Sequence, residues 1–512
     1  MSSSRMKNSI RNIIYGFLKY FISIVFPFAI RTVLIYKLGY QYAGITSLFA
    51  SVLQVLSLSE LGFSSAIVYS LYQPIAENNL EKICAYLNLF KKIYIGVGTV
   101  IIVAGVCVCP FVKYLIKGSY PSDINIYIVF LILVFNISIG YLACGYKTAI
   151  FTASQRDDIL SKTQIVSNCI MYFLQLFSII VFENYYFYVV CMIIGTIANN
   201  CFVYLYSKKM FPDYLCMGSV SDNEKKELFT NVGALFGHQL DIVIITSADN
   251  IVISSFLGLQ LLTIYNNYYY VVSSLLGVLI MIANSFLASI GNSIVTDKKS
   301  NNYNKFIFFA YGLGVINVFC AALMLVLYQD FIYLWMGKSM MLSFFSVILI
   351  TIGFYVRQFR RAVLIFKSAA GLWKKDLLKP YIAASTNLLL NIILVKYIGI
   401  DGVVISTIVS MIVVEIPWET MILFKYYFEI SGKEYMRLQM NFLIKLFLLS
   451  LILLFIGNYF VVNTVFDFVL KCIIFAIIGC LILWGLCKRD KQYEKLLEYL
   501  KGLIDKGRTK RR

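Results

Sequence analysis

Apolar residues run in long blocks along this chain, and polar residues gather in the short connections between them. A helix rises about 1.5 Å per residue, so roughly 20 apolar residues cross the hydrocarbon of a bilayer. Fourteen windows reach that length, at approximately 12–37, 42–70, 85–111, 124–145, 163–182, 185–206, 231–256, 260–290, 306–328, 341–364, 380–398, 401–424, 440–460 and 467–487. Strands of an outer-membrane barrel would be about 10 residues long and alternate in polarity. These blocks are too long and too uniform for that. The pattern predicts an all-α polytopic membrane protein with about 14 transmembrane helices.

Composition agrees. Of 512 residues, 60% are hydrophobic and 14% charged, against about 25% charged in soluble domains. The net charge of +19 would suggest a nucleic-acid partner in a soluble chain. Here the basic residues lie between apolar blocks, so topology accounts for them and no nucleic-acid partner is expected. With the N-terminus inside, the inner connections hold Lys208, Lys209, Lys225 and Lys226, seven basic residues from Arg357 to Lys379, and ten from Lys488 to Arg512. The outer connections hold only Lys37, Lys113, Lys117, Lys338 and Lys396. Both ends are therefore expected on the cytoplasmic side. Arg5, Lys7 and Arg11 precede a first apolar run that continues to about Tyr36, too long for a signal-peptide core, so it reads as a retained helix. The 12 cysteines form no CxxC pair, and there is one histidine, so neither a disulfide framework nor a metal site is expected.

The chain repeats itself. The first helix ends VLIYKLGYQYAGI (Val33–Ile45) and the seventh ends VISSFLGLQLLTI (Val252–Ile264), which aligns Leu38-Gly39 with Leu257-Gly258. Ala153-Ser154 similarly matches Ala370-Gly371, with Lys162 near the counterpart of Lys379. Two pseudo-symmetric six-helix lobes plus two C-terminal helices follow, related by an axis along the membrane normal. The expected divisions are 1–207, a linker at 208–230, 231–428, two further helices in 429–487, and a basic tail at 488–512. Leu496, Leu497, Leu500, Leu503 and Ile504 give that tail the spacing of an amphipathic helix for an anionic leaflet; a frayed solvated tail is the other reading.

Several spans carry charge, at about 2.5–3.5 kcal/mol or more per ionised group at mid-bilayer. His238, Asp241 and Asp249 lie in the seventh helix and are candidate ion-coupling residues; a packing network is the alternative. Glu415 and Glu419 share one face of the twelfth, around Pro417, and belong to the same candidate set. Arg31 lies about 9 Å inside the first helix, six residues from its end. Arg357, Arg360 and Arg361 recur at i, i+3, i+4 and could face a cavity or anchor a cytoplasmic end. Arg31, Arg357, Arg360 and Glu60 are candidate substrate contacts. Asn266 and Asn267 join them, within the run Tyr265–Tyr270, because aromatic faces and amides suit sugars.

Three pieces carry a resemblance. They are Asp249-Asn250-Ile251-Val252-Ile253 running to Leu257-Gly258 and Tyr265; Ser59-Glu60-Leu61-Gly62-Phe63; and Ala369-Ala370-Gly371-Leu372-Trp373 through Lys379-Pro380 to Asn387, Asn391 and LVKYIGIDGVVISTIVS. Together they resemble the bacterial polysaccharide (Wzx-type) flippases of the multidrug, oligosaccharidyl-lipid and polysaccharide exporter superfamily, over essentially the whole chain. The resemblance implies a non-enzymatic carrier in the bacterial cytoplasmic membrane. It would move undecaprenyl-pyrophosphate-linked oligosaccharide to the outer leaflet by alternating access, for surface polysaccharide synthesis. No bound cofactor is implied beyond a transmembrane proton or sodium gradient. The implied partners are the lipid-linked oligosaccharide, membrane lipids, a polysaccharide polymerase and a chain-length regulator. Arg31 would match the cationic cavity residues of such flippases. The alternatives are a lipid II flippase, a drug/cation antiporter, and a membrane glycosyltransferase or polymerase. The short outer connections and the scatter of Asp123, Asp330 and Asp401 argue against an enzyme.

Overall fold

The computed structural model describes residues 2–60 and 63–498, setting aside the side chains of 2–7, 9, 10, 59, 231, 234, 235, 238, 239, 241, 242 and 374. Among these residues every regular element is a helix. The chain forms two compact units, Met1–Thr263 and Ile264–Arg512.

The first unit contains α1 (Ser2–Lys37), α2 (Tyr40–Leu56), α3 (Phe63–Ala76), α4 (Leu80–Val108), α5 (Ile126–Leu142), α6 (Thr148–Ala153), α7 (Asp157–Phe177), α8 (Tyr185–Met210) and α9 (Asp222–Leu257). α1 lies along α7, α4 along α5, and α2 along α9. Phe90, Tyr94, Tyr146 and Ile150 fill one core. Asparagine caps explain several helix starts. Asn79, Asn125 and Asn184 each accept backbone N–H groups at the first turn of α4, α5 and α8. α9 opens on a capping box, in which Ser221 and Glu224 satisfy each other's backbone N–H. The Ser221 hydroxyl, then Lys82, hold the Glu224 carboxyl below its usual range.

The second unit begins inside α10 (Leu259–Asn284) and contains α11 (Leu287–Thr296), α12 (Lys299–Met336), α13 (Phe344–Phe359), α14 (Arg361–Ala369), α15 (Lys379–Ser410), α16 (Ile416–Leu423), α17 (Lys433–Gly457) and α18 (Val465–Cys487). α12 is its central post, packing against α13, α14, α17 and α18. Phe306, Phe366, Phe424, Phe428 and Tyr435 interlock at its core. Buried Lys445 of α17 pairs with Asp490, and buried Lys471 of α18 pairs with Asp330 of α12 at 2.8 Å. These pairs hold the two appended helices in place.

Nine helices among the described residues are long and apolar enough to cross a membrane, or ten if the bent pair Ile126–Leu142 and Gly145–Ala153 counts as one span. All fourteen apolar windows fall on helix, but several are interrupted. The window at 42–70 breaks at the 3₁₀ turn Ser57–Glu60, and that at 341–364 breaks at Arg360. Those at 380–398 and 401–424 join across a kink at Ile398-Gly399 into one run, Lys379–Phe428. Large apolar side chains such as Val103, Phe173, Leu389 and Ile473 stay exposed on the outer helix faces, as a bilayer-facing surface requires. The protein is a multi-pass membrane protein. Backbone at 491–498 is helical, and the rest of the basic tail lies outside the described residues.

The backbone carries the repeat further than the sequence does. Left-handed residues recur at 219 residues (Gly39 to Gly258, Gly118 to Gly337) and at 216 residues (Gln155 to Gly371, Glu183 to Gly399). At the Leu-Gly steps the geometry nearly coincides, with φ 114° and ψ 164° at Gly39 and φ 93° and ψ 175° at Gly258. Each glycine N–H closes its helix on the carbonyl five residues back, Leu34 and Ile253. α9 nonetheless groups with the first unit, because its face packs along α2.

The two glycines differ in surroundings. A Cβ at Gly39 would meet nothing within 4 Å, whereas one at Gly258 would lie 2.9 Å from the Lys117 carbonyl oxygen. Gly258→Ala therefore combines left-handed strain with a backbone clash, and Gly39→Ala only the strain. Purified Gly258→Ala protein should melt several degrees below Gly39→Ala protein in the same detergent. Equal melting temperatures would contradict the contact.

Candidate functional site

The predicted site residues fall in three groups of polar side chains enclosed by the helices. The first is the shared face of α1, α2 and α9. Ser47, Ser51 and Gln54 recur at i, i+4, i+7 on α2 and so point one way. Arg31, half-buried on α1, donates to Ser47 Oγ at 3.4 Å and to the Thr263 carbonyl at 3.1 Å. Asn250 of α9 donates to Ser51 Oγ at 2.8 Å, and Ser247 donates to Gln54 Oε1 at 3.0 Å. Arg31 and Asn250 thus attach one turn apart on the same helix. Asp249 is buried on α9 at 3% exposure. His238 and Asp241 lie on the same helix, with their side chains outside the described residues.

The second place is the helix break at Ser57–Glu60. Glu60 accepts hydrogen bonds from the phenols of Tyr94 and Tyr141, each at 3.3 Å. Among the described residues no lysine or arginine pairs with it. It is held by neutral donors of the first unit. Its sequence neighbours Leu61 and Gly62 lie outside the described residues.

The third place is the second unit, where the three arginines part company. Arg357 stays on α13, its guanidinium 5.6 Å from the centre of the Tyr269 ring. Tyr265 stacks on Tyr269 one turn away, centroids 5.7 Å apart. The three line a cavity of about 30 Å³ with Phe354 and Thr407, room for about one water molecule. Asn266 and Asn267 sit between those tyrosines on α10, Asn266 half-buried and Asn267 fully buried. Thr407 leads to buried amides that sequence reasoning passed over as site candidates. It accepts from Asn387 at 2.9 Å, and Asn387 accepts from Asn391 at 3.2 Å. The signal was an i, i+4 amide pair inside an apolar run.

Arg360 sits where α13 ends and α14 begins, and it turns to the glutamates. It grips Glu419 with two bonds, Nε to Oε2 at 2.9 Å and Nη2 to Oε1 at 2.6 Å, and also pairs with Glu415. Lys379 reaches Glu419 at 3.1 Å and Glu415 at 3.6 Å. Lys367 pairs with Asp376 and lies 3.9 Å from Glu419. The three carboxylates and both lysines are at most 4% exposed. Arg360, Lys367 and Lys379 therefore meet Asp376, Glu415 and Glu419, three charges of each sign. Glu415 ends a π-helical turn, Met411–Glu415, directly before Pro417. That turn takes up the break the proline imposes and sets both glutamates on the arginine. The sequence had divided this cluster between substrate contacts (Arg360) and ion coupling (Glu415, Glu419). The structure joins them as one ion-pair network. Lys367, Asp376 and Lys379 escaped notice because they read as cytoplasmic loop charges. Among the described residues no three His, Cys, Asp or Glu side chains could hold a metal ion.

Removing one partner of a buried pair leaves a charge unmatched and costs about 3–5 kcal/mol, whereas replacing both with apolar groups is often neutral. Glu419→Gln leaves three cations for two anions, while the double variant Arg360→Met/Glu419→Met leaves two for two. The single variant should show a large fall in melting temperature, and the double should recover most of it. A Glu419→Gln protein that melts like the parent would contradict a structural network.

A family described as polysaccharide biosynthesis protein matches residues 7–288, more than half of the chain. No curated protein sequence matches. Among solved structures, the chain is similar to an inward-facing multidrug resistance MATE family transporter of the MOP superfamily, at TM-score 0.65 and 12% identity, covering 80% of this chain and 94% of that one. It is similar to the lipid II flippase MurJ in an inward closed conformation, at TM-score 0.64 and 17% identity, covering 94% and 100%. A MOP superfamily transporter from Pyrococcus furiosus matches at TM-score 0.57 and 12% identity, covering 83% and 97%. The chain thus belongs to the polysaccharide biosynthesis protein family, on a fold it shares with the MOP superfamily transporters.

Proposed function

We propose that the chain carries a lipid-linked oligosaccharide with a pyrophosphate head group from the inner to the outer leaflet of the bacterial cytoplasmic membrane, with both chain ends cytoplasmic. The observation that carries this reading is Arg357 set over Tyr269 beside Tyr265 at membrane depth, in a chain of the polysaccharide biosynthesis family. A guanidinium matches phosphate oxygens with a planar fork of donors, and aromatic faces take the C–H faces of sugars. The likeness to a lipid II flippase supports a lipid-linked substrate. The cavity beside Arg357 is water-sized in this conformation, so alternating access must open it before cargo enters.

Arg31 supplies a second cation, hydrogen-bonded to Ser47 and to the Thr263 carbonyl on a polar face. Arg31→Ala should abolish most surface-polymer export at unchanged protein level, and Arg31→Lys should keep part of it, because lysine retains the charge without the fork. The measurement is cell-surface polysaccharide against membrane protein amount. Parent-level export by Arg31→Ala cells would remove Arg31 from the path.

A proton or sodium gradient drives the cycle in this reading, through the α9 carboxylates Asp241 and Asp249, with His238 beside them. Glu415 and Glu419 keep a coupling role only if the gradient can loosen their arginine. In everted membrane vesicles an imposed gradient should speed substrate entry for the parent and not for Asp249→Asn. Equal acceleration in both would remove Asp249 from coupling.

A further inference from the structure

The first unit contains a much larger cavity that none of the roles above uses. Its volume is about 360 Å³, within the roughly 300–1,000 Å³ of small-molecule pockets. Two helix faces build it. Ser65, Tyr69 and Tyr72 recur at i, i+4, i+7 on α3, and Thr148 and Thr152 at i, i+4 on α6. Val68 and Ala149 form an apolar floor. Tyr69 and Tyr72 meet edge to face, centroids 6.5 Å apart, and both rings stay open at 67% and 47% exposure.

The hydroxyls on this wall divide by chemistry. Thr148 spends its proton on the Gly145 carbonyl at 2.7 Å, and Thr152 on Asp157 at 2.8 Å, so each keeps lone pairs to accept with. Among the described residues the hydroxyls of Ser65, Tyr69 and Tyr72 have no hydrogen-bond partner. The lining holds no lysine or arginine, and the one carboxylate that reaches it through Thr152 would repel phosphate. Tyrosines at a membrane interface are common. A wall turned only to lipid would not also leave the Ser65 hydroxyl without a partner beside two open phenols, since an unmatched hydroxyl in hydrocarbon costs about 2–7 kcal/mol.

A wall of open aromatic faces interleaved with neutral donors and acceptors fits a sugar ring, whose C–H faces and hydroxyls alternate in the same way. We propose that this α3–α6 cavity binds neutral sugar units of the transported oligosaccharide, apart from the cations that meet its phosphates. The inference rests on the proposed function and adds a subsite to it.

The test uses purified full-length protein and two probes. One is the lipid-linked repeat unit extracted from the source organism, and the other is undecaprenyl pyrophosphate without sugar. The double variant Tyr69→Ala/Tyr72→Ala should weaken binding of the glycosylated probe at least tenfold and leave the sugar-free probe unchanged. Tyr69→Phe should bind both probes like the parent, and Ser65→Trp, which fills the cavity, should reproduce the double variant. Equal loss for both probes, or loss for neither, would overturn the sugar subsite while leaving the proposed function intact. Failure of the parent to bind either probe would overturn the proposed function and the subsite with it.

Discussion

A buried ionised side chain must meet its opposite charge or water, and this requirement governs the second unit. Arg360, Lys367 and Lys379 come from α13–α14, α14 and α15, and all converge on carboxylates in or next to α16. Each local irregularity serves that meeting. α13 stops at Phe359 so that Arg360 can turn, and the π turn before Pro417 places Glu415 beside Glu419. These ion pairs tie α14, α15 and α16 together at the end of α13. Arg357, three residues earlier, lies over the Tyr269 ring beside the aromatic cavity.

The first unit also buries an ion-pair cluster, in which Asp158 meets Arg11, Arg156 and Lys162. Its polar face uses hydroxyls, amides and one arginine along α2, and Glu60 rests on two phenols. Neutral partners hold such groups less tightly than ion pairs do. Left-handed turns recur at 216–219 residues along the chain.

Much of this was legible in the sequence. Apolar blocks marked every membrane-length helix, though not the short α6, and the Leu-Gly steps stood out because left-handed geometry selects glycine at both sites. The same rule hid the matches at Gln155 and Glu183, where the first half uses non-glycine residues in the left-handed region. The arginine trio was read as one helical face because nothing in the local pattern announces that the helix breaks at Arg360. That break depends on glutamates 55 and 59 residues away, beyond the reach of periodicity. Lys379 looked like a loop charge for the same reason. The α3–α6 cavity escaped entirely, since two half-polar helix faces become a pocket only when packed together.

The central claim is that this protein moves a lipid-linked, anionic oligosaccharide between leaflets. The most direct measurement reconstitutes the purified chain in vesicles that carry the lipid-linked repeat unit in both leaflets. A membrane-impermeant periodate treatment then oxidises the glycans exposed outside. With active protein, oxidation should continue past the outer-leaflet half toward completion, and with Arg357→Ala protein it should stop near one half. Oxidation that halts at one half with the parent protein as well would contradict the account.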